Sequence, residues 1–144
     1  MSSRRRRAER LVELGLAAVN AARASVTAAA RAVAEARADA ERQECAWLDA
    51  AQTFGTGVAS APDLDEQSAH LRTLRHRADA EARRLERALA EERRCAAAVV
   101  KAAMERRKLE LWRDRIVQGE REEEQRQEQR RSDELAARVA RVRA

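Results

Sequence analysis

An apolar side chain returns at every seventh position through Val12, Val19, Val26, Val33, Ala40, Trp47 and Phe54. A repeat held at seven, rather than drifting with the 3.6-residue turn, marks a stripe that supercoils left-handed around a second helix. Gly55, Gly57 and Pro62 then interrupt the pattern, and a longer helical segment follows. The expected fold is therefore all-α: a two-helix antiparallel coiled-coil hairpin with a longer second helix overhanging at the C-terminus. Helix one is expected over about 3–52, the turn over 53–62 and helix two over about 63–142, forming a single hairpin across 1–144.

Three residues after each of the first six seam positions come small or modest side chains: Gly15, Ala22, Ala29, Ala36, Gln43 and Ala50. Valine alternating with such small residues lets two backbones approach closely. The cost is apolar area, at roughly 25 cal/mol per Å². The composition agrees, since 44% of the chain is apolar largely through alanine and only 2% is aromatic, so no thick core can form. A slender, modestly stable rod is predicted. The competing arrangement is a dimer of two chains with residues 53–62 extended, which the turn chemistry disfavours.

Ser2 or Ser3 can cap helix one, and Asp63, Asp65 and Glu66 suit the positive N-terminal end of helix two. The second stripe reads Leu71, Leu74, Ala78, Ala82, Leu85, Leu89, Ala96, Val99 and Ala103, with Glu92 interrupting, and continues through Leu109, Trp112 and Ile116. A turn centred near residue 58 sets Cys45 beside Arg72, Cys95 beside Ala22 and Trp112 beside Arg5. The two cysteines are then about 35 Å apart, beyond disulfide reach, so free thiols are expected. Past Ile116 the second helix has no apolar face over residues 118–134. Pairs such as Glu122 with Arg126 and Glu134 with Arg138 can support it as an exposed helix, while Gly119 weakens it. Leu135, Val139 and Val142 form a last stripe with nothing in the hairpin to cover it.

Of the net charge of +5, the excess lies at the start, where residues 1–34 carry seven arginines against Glu9 and Glu13. Arg4, Arg5, Arg6 and Arg7 could bind nucleic acid or anionic lipid, or form a solvated basic end. Glu13 and Asn20 interrupt the apolar run that follows, and the heptad continues to Phe54, so neither a cleaved leader nor a membrane span is expected. His70 and His76, six apart, fall on different sides of a helix, which argues against a metal site. Phosphate-binding and nucleophile motifs are absent, and a two-helix fold encloses no pocket for tuning a catalytic group. No catalytic residue, cofactor or metal is expected. Trp47 reads as seam filler near the turn, opposite Leu71 or His70. Trp112, beside the basic start, reads either as a cation–π cap or as an anchor for a partner.

The segment Lys108–Arg143, KLELWRDRIVQGEREEEQRQEQRRSDELAARVARVR, resembles the C-terminal signature of the FliJ/YscO-type family, stalk proteins of flagellar and virulence type III secretion ATPases. An arginine- and glutamate-rich run leads into Glu128 and Gln129, then Asp133, Glu134, Leu135 and Ala136. The resemblance covers some 30 residues in sequence and the whole chain in layout. It implies a cytoplasmic protein, peripheral to the inner-membrane secretion apparatus. It also implies binding to the hexameric secretion ATPase and to an export gate protein, and an option of binding secretion chaperones. ATPase-binding candidates are then Arg4, Arg5, Arg6, Arg7, Trp112, Glu128, Gln129, Asp133 and Glu134; gate-binding candidates are Trp47, Phe54, Leu71 and Leu74. The absence of tyrosine departs from the flagellar branch and tilts the reading to a virulence-type system. A monomer in isolation is expected, without nucleic acid and without membrane insertion. The alternative reading is a basic coiled-coil nucleic-acid-binding or generic scaffold protein.

Overall fold

A computed structural model describes all 144 residues. Helix α1 runs Ser3–Gln52 and helix α2 runs Ala61–Arg143, packed against each other as a helical hairpin. Ser2 caps α1: its Oγ accepts the Arg5 N–H at 3.0 Å and its carbonyl accepts the Arg6 N–H at 3.1 Å. Helix α2 starts two residues earlier than the sequence suggests, because Pro62 sits inside its first turn. The missing proline N–H is one that no helix start uses, and its fixed φ already suits a helix. The Leu64 N–H closes that turn on the Ser60 carbonyl at 3.2 Å. No helix is long and apolar enough to cross a membrane.

Between the helices the chain keeps coiling before it reverses. Thr53, Phe54 and Thr56 donate their N–H groups to Asp49, Ala51 and Thr53 in turn. Gly55 and Gly57 take φ of +83° and +72°, a left-handed conformation that a side chain would strain. One side chain of α2 clasps this turn: the Gln67 carbonyl oxygen accepts the Gly55 N–H at 2.9 Å while its amide donates to the Thr56 carbonyl at 3.2 Å.

Packing divides the chain into two compact units, Met1–Asn20 with Lys101–Ala144, and Ala21–Val100. In the first, Ala8, Val12, Val19 and Ile116 are buried; in the second, Ala29, Val33, Ala36, Leu74 and Ala78. Every buried residue of α1 is one the seven-residue repeat places on the seam, Ala8 lying one repeat before Gly15. Gly15 also behaves as the repeat implies. A Cβ there would sit 3.4 Å from Leu109 Cδ1, so the glycine admits α2 closely.

The α2 stripe departs from the sequence reading. Ala82, Ala96 and Ala103 are exposed, while Glu81, Glu92, Cys95 and Arg106, each one heptad step from a seam leucine, alanine or valine, are half-buried. Strict seven-residue phase has won over local hydrophobicity. Glu92 belongs to the stripe instead of interrupting it, since a glutamate or arginine can lay its methylene stem along the seam and keep its charged end in water. The alignment differs as well: Ser2 meets Glu120, Gly15 meets Leu109, Asp39 meets Arg84 and Glu44 meets Arg75. These contacts lie two to seven residues further along α2 than a turn centred at residue 58 gives. The coiled turn moves the reversal later. In addition, each side chain leans toward its own N-terminus, which shifts antiparallel contacts by about two more.

Helix α2 continues after Glu120, where Ser2 faces it, and residues 121–144 are all exposed. Leu135, Val139 and Val142 remain uncovered there. The carboxylate that pairs with Arg126 is three residues away instead of four, and the other support comes from glutamine amides and a backbone carbonyl at four-residue spacing. Arg126 pairs with Glu123 at 3.4 Å and its Nε donates to the backbone carbonyl of Glu122, while Gln118 and Gln129 donate to Glu122 and Asp133.

Candidate functional site

The positive charge is more concentrated in space than in sequence. Residues 1–20 and 101–120, which share one unit, carry eleven basic and six acidic side chains. That difference equals the net charge of the whole chain. Arg5 pairs with Glu9 at 3.1 Å, Arg106 and Arg107 share Glu110, Lys108 pairs with Glu105, and Arg113 with Asp114 at 2.7 Å. Hydrogen bonding to Asp114 raises the already high Arg113 pKa, and Glu9 of α1 adds to it. Arg4, Arg6, Arg7, Arg10, Lys101 and Arg115 have no carboxylate within ion-pair distance.

Trp112 stands among these free cations. It is half-buried, and two surface depressions share it together with Arg4. One is completed by Ser3 and Arg7; the other runs along α2 past Arg115, Ile116, Gly119, Glu120 and Glu123. Gly119 borders the second depression and has open space where a Cβ would be. The residues that α2 contributes here are three, four, seven, eight and eleven positions beyond Trp112. That helical spacing was the available signal for Arg115, Glu120 and Glu123, which the sequence reading did not single out, and for Gly119, which it read only as a weak point of the helix.

The other candidates for this end, Glu128, Gln129, Asp133 and Glu134, all lie exposed on the unaccompanied part of α2. Gln129 donates to Asp133 at 2.9 Å. Arg5 is the least available of the four N-terminal arginines because Glu9 already holds it.

At the turn the candidate residues separate. Trp47 carries the Arg75 guanidinium 4.7 Å above its ring, so the cation–π contact considered for Trp112 occurs at Trp47 instead. Arg75 also grips Glu44 with two hydrogen bonds of 3.2 and 3.1 Å and Asp79 at 2.7 Å, joining α1 to α2. The Asp79 carboxyl is held below its ordinary value, first by that hydrogen bond from Arg75. Leu74 is buried and packs the seam, which removes it from any external contact. Phe54, 44% exposed, and half-buried Leu71 border a shallow depression with Gln67 and His70, and they are what this end presents.

Both thiols are free, with Cys45 exposed and Cys95 half-buried. Compared with known proteins, the chain matches no family model, no curated protein and no solved structure.

Proposed function

We propose that this protein is a central stalk component of a bacterial type III secretion system, binding the hexameric export ATPase and coupling it to the export gate, without chemistry of its own. The observation that carries the reading is the unaccompanied run of α2 from Arg121 to Arg143, fully exposed and bearing Glu128, Gln129, Asp133 and Glu134. A charged, uncovered helix next to a cationic helix pair can touch the inner wall of a ring through many weak contacts that re-form as the ring changes state. Deep apolar burial would hold it in one state.

Support also comes from the hairpin layout with a longer second helix and from the C-terminal sequence signature. Phe54 and Leu71 at the turn are the residues offered to the gate, and secretion chaperones are a further class of partner. The system proposed is virulence-type, and the working location is cytoplasmic, against the inner-membrane apparatus. The test is to purify the chain with a type III secretion ATPase from the same cell and measure binding and ATP hydrolysis. Saturable binding with stimulated hydrolysis is expected; neither binding nor stimulation would end the proposal.

A further inference from the structure

We infer that the groove beside Trp112 receives an acidic peptide segment bearing an apolar side chain, presented by a partner protein. Assigning that segment to the ring ATPase rests on the function proposed above; the chemistry of the groove does not. Three observations carry it. Arg4, Arg7 and Arg115 surround Trp112 with no carboxylate of their own, so an incoming anion meets cations it does not have to strip from existing pairs. Trp112 and Ile116 offer apolar surface at the groove base, and Gly119 leaves room above it. Aromatic and arginine side chains clustered in one depression are the kind of surface on which partners anchor.

The far end of the same groove turns acidic at Glu120 and Glu123. A phosphate backbone carries uniform negative charge and would be repelled there, and a single tryptophan gives only one base a platform. A peptide can instead place carboxylates against Arg4 and Arg115 and offer backbone N–H groups or a basic residue to the two glutamates. The groove therefore favours a polypeptide with ordered charges over a nucleic acid.

The test uses the full chain carrying Trp47→Phe, so that Trp112 alone reports by fluorescence. The probes are the synthetic peptide Glu-Asp-Glu-Leu-Phe-Gly-Lys-Ser, the same peptide with serine replacing Leu-Phe, and single-stranded oligothymidylate. Saturable change in emission is expected with the first peptide, weakened about tenfold by the serine version, by Arg4→Glu with Arg115→Glu, and by Gly119→Leu. Gly119→Leu is the informative variant because it fills the groove without altering charge. All three positions are open to solvent, and circular dichroism verifies that the helices persist. Absence of an emission change, stronger binding of oligothymidylate, or loss on charge reversal without loss on Gly119→Leu would overturn the inference. With the ATPase as probe, equal binding by parent chain and variants overturns the groove assignment while leaving the stalk reading intact. Binding of the peptide but not of the ATPase keeps the groove and removes the stalk.

Discussion

Val19 is the largest side chain with almost no exposure, so this fold depends on small groups placed closely rather than on large ones. Val19→Ala removes two methyls from a site with little room to relax and should cost about 2 kcal/mol, read from urea unfolding. The two cysteines differ in their surroundings. Partial burial and the neighbouring Glu91 raise the Cys95 thiol pKa, and Cys45 is exposed. Iodoacetamide at mildly alkaline pH should therefore modify Cys45 several-fold faster than Cys95, as peptide mapping would show; equal rates would contradict the packing around Cys95.

Asp79 sets a pH dependence whose direction follows from its depressed carboxyl. A carboxylate with a lowered folded-state pKa contributes stability that is complete above the ordinary aspartate value and disappears as pH falls through the lowered one. Asp79→Asn should thus destabilise the chain at neutral pH and converge with the parent in strong acid. Because the pair is well exposed, the difference should be small, within the range of surface ion pairs.

At the scale of the helices, the sequence made α1 legible almost residue by residue and α2 much less so. Val12, Val19 and Val33 declare their phase by repetition, and Ser3–Gln52 follows from a cap at one end and glycines at the other. In α2 the seam passes through Glu81, Glu92 and Arg106, while alanines crowd the exposed side. Hydrophobicity then points one residue away from the true phase. The candidate residues show the same division. Clustering of Arg4 and Arg7 at Trp112 was visible from approximate pairing, whereas Arg75 over Trp47 required an alignment that the turn sets and composition does not reveal.

Gly15 lies where α2 approaches α1 closely enough to be tested by substitution. Its Cβ position lies at ordinary contact distance from Leu109 and Arg106, and a helix gains from replacing glycine. Gly15→Ala should stabilise by about 0.5–1 kcal/mol. Gly15→Leu has no space against the Arg106 backbone and should destabilise; opposite signs in thermal unfolding would be decisive.

For the whole molecule, the folded chain exposes 11139 Å², whereas a compact protein of this mass exposes roughly 7,500 Å². Part of that surface belongs to residues 121–144, which bury nothing. Ending the chain at Glu120 should leave the thermal midpoint within about 2 °C of the full length, since a segment without packing contributes little to cooperative unfolding. On the proposed function the same truncation should abolish stimulation of the ATPase. Retention of full stimulation would show that the exposed helix is not what the ring reads.

The Gln67 clasp has a consequence for alignment. Rungs of valine, alanine and glycine repeated at equal intervals dictate which sides of two helices meet, yet they are nearly indifferent to a slip of one whole repeat. The amide that bridges Gly55 and Thr56 is a doorstop against that slip, and Arg75 and Arg84 are latches further along. Remove the doorstop and the zipper still closes, only with its teeth free to mesh in more than one place.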